Sequence, residues 1–354
     1  MTSPADHPTS PADHPTSPPG LVFRRASPAD REGILAVSAY FENDWIGYVV
    51  EAWLLREKGG FFVAETGGQI VAVCAATLDP LAPAPGDAAT PVSAASTSPG
   101  LGAWFSAMRV RPDCQSRGLA TGLTGHVLEA CRAWGCRYAR LSTDVTNKAV
   151  HHFIGDNLGF ANLGRWVFQA GVNDWTPFGD SAATVSGVRT ASLRDLDMVW
   201  AFLGEGFRSG RIHPAGMVAP PDDPWRLVDF TRDRLAEHLG SGLCFVHEAD
   251  GSPNAASPVG AVIDGLVLAA AYPHDPVEPD RPGWSSVSML EGPGHVAAAL
   301  LARALTAIHS DPAITEYDTS LPESQWERLQ AVARPGWPSS PPALDAFIYH
   351  KELR

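Results

Sequence analysis

The sequence lacks most of what would mark a membrane, secreted or nucleic-acid-binding protein. No apolar run approaches the roughly 20 residues that a membrane-spanning helix needs. The first twenty residues lack the basic-then-apolar layout of a secretory signal, so a cytoplasmic location is expected. Cys74, Cys114, Cys131, Cys136 and Cys244 form an odd, scattered set that suits reduced thiols rather than a disulfide framework. Cys131 and Cys136 have neither C-x-x-C spacing nor a nearby His cluster, so no metal is expected. There is no Lys/Arg run, and 39 acidic against 26 basic residues give a net charge of −13. Nucleic-acid binding needs a concentrated basic surface, so a nucleic-acid partner is excluded. An acidic surface serves solubility or attracts amines and other cations. The chain also has no G-x-G-x-x-G followed by an acidic residue for a dinucleotide, and no G-K-[ST] for a nucleoside triphosphate.

The 354 residues suit two domains of ordinary size. Residues 1–19 repeat Thr-Ser-Pro-Ala-Asp-His-Pro and cannot bury apolar area, which predicts a disordered tail with His7 and His14 solvated. Leu21–Arg25 reads as a first strand. Ser27 then caps a helix with Pro28 at its first position, broken near residues 42–44 before it continues to Leu55. Phe61–Glu65 and Gln69–Ala75 read as a hairpin pair around Thr66-Gly67-Gly68. Pro80–Gly100, rich in Ala, Pro and Ser, is a long and mobile loop by expectation.

The most telling segment is Val110-Arg111-Pro112-Asp113-Cys114-Gln115-Ser116-Arg117-Gly118-Leu119-Ala120. Trp104, Phe105, Met108 and Val110 suit a buried strand before it, and Leu119, Leu123, Val127, Ala130 and Trp134 follow at helical spacing. In between, backbone N–H groups from Gln115 to Ala120 lack intrahelical partners, and the helix dipole favours negative charge there. Gly118 and Ala120 admit close approach of a phosphate, and Arg117 can add a charge-assisted contact. The local chemistry is that of a pyrophosphate cradle.

The Q-x-x-G-x-A pattern after a strand-final valine resembles the acyl-CoA-binding motif of the GNAT (general N-acetyltransferase) superfamily. Asn147, opening a second helix that closes on Leu158-Gly159-Phe160, resembles that superfamily's N-x-x-A…G-F signature. With strands at Tyr138–Val145 and Trp166–Ala170, the element order is that of a GNAT domain. The fold class implied is α/β with two tandem GNAT-like domains. Each would be a mostly antiparallel mixed sheet flanked by helices, with a tail at 1–19, a donor-binding domain at 20–178 and a degenerate one at 179–354.

The second half reads as a worn copy of the first. Thr190–Leu196 echoes Arg25-Ala26-Ser27 with its helix, and strands at Leu243–His247 and Val259–Ile263 echo the hairpin. Val287–Leu290 followed by Glu291-Gly292-Pro293-Gly294 stands where the phosphate turn should be. Tyr317–Ser320 echoes Leu141–Asp144, and Gly336-Trp337 echoes Gly159-Phe160. Glu291 would aim a carboxylate at the pyrophosphate position and Pro293 removes an N–H, so this half should not bind CoA in the usual manner.

The resemblance implies acetyl-CoA as acyl donor, with Met108 and Val110 backbone groups on the pantetheine arm. Gln115, Ser116, Arg117, Gly118, Leu119 and Ala120 would hold the pyrophosphate, and Asn147 would be a side-chain contact. Alternation places Trp104, Ser106, Met108 and Val110 on one side of the strand, where some relatives carry a carboxylate and this chain has none. The superfamily's frequent acid, a Tyr in the second helix, is also missing; Ile154 or Gly155 stands there. Asp144 reads either as proton acceptor or as a helix N-terminal carboxylate. His151, on the Asn147 face of its helix, reads either as acid or base or as a capping histidine. Glu42, Asp44, Trp45 and Ser106, with Tyr40 beside them, are the expected acceptor-pocket residues. The expected function is acetyl transfer to a primary amine of a small molecule in the first domain. Acyl-CoA binding without turnover, and an interaction module, remain alternatives; oligomeric state is not legible.

Overall fold

The structure is a computed structural model, and it describes residues 20–42, 44–81, 100–172, 185–213, 217–218, 226–249, 262–272, 283–331, 333 and 344–353. The repeat tail, most of the Pro80–Gly100 loop, the 178/179 boundary and Gly336-Trp337 lie outside the described residues. The chain forms two compact units, Met1–Ala75 with Ala107–Val127, and Ala76–Ser106 with Leu128–Arg354.

In the first unit, β1 (Val22–Arg25) pairs antiparallel with β2 (Gly60–Thr66), from Val22↔Glu65 to Arg25↔Phe62. β3 (Gln69–Pro80) and β4 (Leu101–Val110) follow in sheet order. A short turn at Pro28–Asp30 leads into α1 (Arg31–Ser38). Ser27 caps as expected, in a capping box with Asp30. Its N–H and Oγ both donate to Asp30 Oδ2, at 2.7 and 2.9 Å, and Arg24 grips the same carboxylate at 2.7 Å. The expected break comes between α1 and α2 (Ile46–Leu54). Ile34 and Val37 from α1, with Ile46, Val49, Val50, Trp53 and Leu54 from α2, bury one apolar core on Phe61, Val63, Val73 and Ala107. α3 (Leu119–Ala133) begins in this unit.

The second unit holds β5 (Cys136–Asp144), α4 (Lys148–His152), β6 (Ala161–Val172), β7 (Val188–Thr190) and α5 (Leu196–Arg208). A two-strand ribbon of β8 (Met217–Val218) and β9 (Val228–Asp229) precedes α6 (Arg232–Gly240), β10 (Phe245–Glu248), β11 (Ile263–Tyr272) and β12 (Gly283–Glu291). α7 (Gly294–His309), β13 (Ile314–Pro322), α8 (Glu323–Gln330) and β14 (Leu344–Glu352) complete it. The strand order is β4-β5-β14-β6-β13-β12-β11-β10-β7, with β4–β5 and β12–β13 parallel. This is a mixed sheet with helices on both faces. Val287 and Leu290 of β12 pack with α7 and α8, whereas Met289 packs with α5 and α6. The strand expected at Val259–Ile263 instead starts at Ile263 and runs to Tyr272, residues 259–261 lying outside the described set.

The second half repeats the element order of the first, yet the closing strands are exchanged. β14 lies between β5 and β6, and β6 lies between β14 and β13. β14 pairs antiparallel with β5 from Ala346↔Asp144 to Glu352↔Tyr138. Ala346 and Ile348 sink into a core with Trp104, Trp166, Phe168 and Leu227. Full burial of one such large apolar side chain is worth about 1.5–3 kcal/mol, so the exchanged strand is firmly held. α4 also departs from expectation. It ends at His152 and widens into a π turn at Phe153–Asn157 before Gly159-Phe160. Among the described residues no helix is long and apolar enough to cross a membrane.

Candidate functional site

In the first unit the turn after β4 is built to leave backbone N–H groups exposed. Arg111 N–H donates to Val71 O at 2.9 Å, and its guanidinium spans Asp113 (2.6 and 3.0 Å) and Gln69 (3.2 Å), fixing the turn to β3. Buried Cys114 and Leu119 anchor both ends, while Gln115, Ser116, Arg117 and Gly118 are exposed. Ser116 (φ +60°) and Gly118 (φ +74°) are left-handed, an uncommon conformation for a serine. The polar side chains fold back. Gln115 Nε2 donates to Val110 O at 3.3 Å, and Arg117 donates to Asp113 O at 2.9 Å. The N–H groups opening α3 lack intrahelical partners, as at any helix start, and the helix dipole is positive there, beside Arg117. A Cβ placed on Gly118 would meet nothing within 4 Å. This is open space suited to an anion.

β4 carries the second irregularity. Ala107, in mid-strand, has φ +52°, so the expected run of Trp104, Ser106, Met108 and Val110 along one side does not hold through it. A left-handed residue resets the alternation. Trp104 packs with Trp166 and Phe168, whereas Ala107 packs in the α1–α2 core. Ser106 Oγ is buried without a hydrogen-bond partner among the described residues, an unusual state for a hydroxyl. The parallel β4–β5 register ends at Trp104↔Arg140, while β5 continues to Asp144.

The acceptor-side residues are differently placed than their types suggest. Glu42 is exposed. The Asp44 side chain is 2% exposed and accepts from Ser38 Oγ at 2.9 Å and from Arg109 at 3.1 and 3.3 Å. Its charge is thus already matched. Arg109, which also lies 5.1 Å over the Phe41 ring, was missed; a lone cation in an otherwise apolar strand is the signal that it needs a partner. Trp45 packs edge-on to Trp53 at 5.4 Å, leaving Tyr40 and Tyr48 as exposed aromatics beside it.

In the second unit, Asp144 Oδ1 accepts from the Thr146 Oγ1 hydroxyl (2.6 Å) and N–H (2.7 Å), which hold its carboxyl below the usual range. Asn147 caps α4, its Oδ1 accepting from Val150 N–H at 3.3 Å. His151 Nε2 lies 3.1 Å from Val145 O and Nδ1 lies 3.0 Å from Tyr349 Oη. Both ring nitrogens are engaged inside the fold, so a proton-transfer role would have to break one of these bonds. Nothing in the sequence near α4 announces Tyr349, which arrives on the exchanged strand. Burial pushes the Cys74 and Cys244 thiols up to about 12, which removes them as nucleophiles.

The corresponding turn of the second half is closed. Glu291 does not aim outward. It is the last residue of β12, paired to Leu266, with its side chain fully buried against Gln325 and Arg211. Burial raises its pKa despite the opposing pull of Arg328 and Arg211. Only Gly292 and Pro293 separate β12 from α7. A Cβ on Gly292 would sit 3.2 Å from Gly265 Cα and 3.3 Å from Asp264 O.

Residues 18–160 match the model of the acetyltransferase (GNAT) family. No curated protein matches the chain. Among solved structures, a GCN5-related N-acetyltransferase from Sphaerobacter thermophilus is 15% identical, with 96% of this chain and 98% of that chain covered and a TM-score of 0.53. The glucosamine N-acetyltransferase region of a fungal multi-domain GH3 β-N-acetylglucosaminidase is 11% identical, with 95% and 38% covered and a TM-score of 0.59. At such identities the likeness is one of fold.

Proposed function

Residues 18–160 of this chain are a GNAT acetyltransferase domain, and from that premise we propose that the protein transfers the acetyl group of acetyl-CoA to a primary amine of a small molecule. The observation that carries the donor half of this reading is the open left-handed turn at Ser116–Gly118, at the start of α3, where helix-opening N–H groups lack intrahelical partners. A diphosphate there meets backbone donors, a positive helix end and Arg117. Met108, Val110 and Asn147 keep the donor contacts that the family resemblance implies.

In the proposed reaction the amine nitrogen attacks the thioester carbonyl carbon. A C–N bond forms, the C–S bond breaks as the tetrahedral adduct collapses, and the sulfur leaves as thiolate. The proton lost from nitrogen passes through water to Asp144, which its Thr146 bonds keep ionised. The second half, with Glu291 and Gly292 filling its turn, is proposed to hold no donor. Acyl-CoA binding without turnover is the competing account, favoured by the full engagement of His151.

Thioester cleavage against a panel of primary amines, run beside acetyl-CoA calorimetry, separates these readings. One site per chain with amine-dependent release of thiol is expected. Binding without release with any amine selects the competing account, and two equivalent sites would overturn the assignment of the donor to the first half.

A further inference from the structure

Resting on the acetyltransferase reading, we propose that Tyr349, delivered by the closing strand of the second half, is a positioning residue for the donor-contacting turn of the first, acting through His151. β14 presents alternate residues to opposite faces. Ala346 and Ile348 enter the Trp104–Trp166 core, while Phe347 and Tyr349 meet His151. The His151 ring stacks on Tyr349 at 5.8 Å and stands edge-on to Phe347 at 5.3 Å.

The hydrogen bonds close a loop. The Val145 carbonyl can only accept, so His151 Nε2 carries the hydrogen that reaches it at 3.1 Å. In the tautomer with its hydrogen on Nε2, Nδ1 is the acceptor, and Tyr349 O–H donates to it at 3.0 Å. Val145 N–H in turn donates to Asp345 O at 2.8 Å, back on β14. Val145, inside the Asp144–Asn147 turn, is thus held at both its N–H and its C=O by one strand that enters the sequence some two hundred residues later. Burial raises the Tyr349 pKa, which keeps the phenol protonated as the donor. The imidazole, engaged at both nitrogens, serves as a two-ended spacer rather than as a proton shuttle. The second half therefore completes the first half's machinery instead of merely following it.

The test compares Tyr349→Phe, His151→Leu and His151→Gln in the full chain by acetyl-CoA calorimetry, steady-state acetylation and amide hydrogen exchange over residues 145–152. Tyr349→Phe and His151→Leu each break the loop. Loss of about one net hydrogen bond should raise Kd and KM for acetyl-CoA about tenfold, leave kcat within about twofold, and speed local exchange. His151→Gln keeps one donor and one acceptor, and should fall close to the parent in all three readouts. Parent-like Kd and exchange in Tyr349→Phe would overturn the proposal. So would a fall in kcat at unchanged KM in His151→Gln, which would make His151 a catalytic acid. A parent that binds no acetyl-CoA refutes the acetyltransferase reading instead, and the exchange rates then decide the clamp alone.

Discussion

Between β4 and α3 the chain spends residues 111–118 on a turn; between β12 and α7 it spends only Gly292 and Pro293. Both turns contain a glycine at positive φ, and both open a long helix. They differ in what lies beyond the glycine Cα. At Gly118 there is open space, whereas at Gly292 the backbone of β11 is in van der Waals contact and a buried carboxylate precedes it. A left-handed glycine at a helix start is therefore not itself an anion site. In the proposed donor reading it becomes one only where the chain spends more residues and leaves open space beyond the glycine, as at Gly118. The same economy appears one strand along. Val145, Thr146 and Asn147 separate β5 from α4, but Pro322 leads straight into α8.

The largest effect should come from that second junction. If Asp144 takes the proton, Asp144→Asn lowers kcat about 10²- to 10⁴-fold while acetyl-CoA affinity stays at the parent's value. A variant that keeps full turnover would reduce Asp144 to the cap of its own turn, and water alone would then accept the proton.

A smaller but sharper contrast comes from the two glycines. Gly118→Leu should weaken acetyl-CoA binding at least about 100-fold by filling the open space, at a stability cost of about 1–2 kcal/mol for a left-handed non-glycine residue. Gly292→Ala should do the reverse. Its φ of +133° and the backbone contacts at 3.2 and 3.3 Å predict a loss of about 1–3 kcal/mol with acetyl-CoA affinity unchanged. Denaturant midpoints and calorimetry on both variants read this directly. Equal binding losses in the two would erase the distinction between the turns.

How much of this was legible beforehand follows the range of the interactions. The turn at Gln115–Ala120, the helix break near residues 42–44 and the Asn147 cap depend on neighbours in sequence, and local chemistry reveals them. Arg109 pairing with Asp44, and Tyr349 holding His151, are set by tertiary packing of helix or loop on strand across 65 and 198 residues. The strand exchange was invisible for the same reason. Nothing local in Ala161–Val172 or Leu344–Glu352 says which half either strand closes. Glu291 was read as part of a turn because its first-half counterpart was taken to be Gln115. The shorter junction makes it a strand residue instead, and strand residues here point inward.

Glu291 gives the smallest effect and the most specific test of why the second turn is closed. Burial favours its protonated form more strongly than Arg328 and Arg211 favour the charged one, so its pKa in the folded chain lies above the ordinary value of 4.5. A group that holds its proton more tightly when folded stabilises the protein fully below its unfolded pKa, and loses that contribution as pH rises through the folded one. Glutamine does not titrate. The stability of Glu291→Gln relative to the parent should therefore rise as pH climbs from the ordinary glutamate range through the raised folded value. A flat or falling difference would mean that the arginines, not burial, govern the group. Removing the charge should still leave one acetyl-CoA site per chain, because the space beyond Gly292, where a Cβ would stand, stays closed by Gly265 and Asp264. If a second site opened in Glu291→Gln, charge rather than space would be what closes the second turn, and the contrast with Gly118 would have to be redrawn on electrostatic grounds.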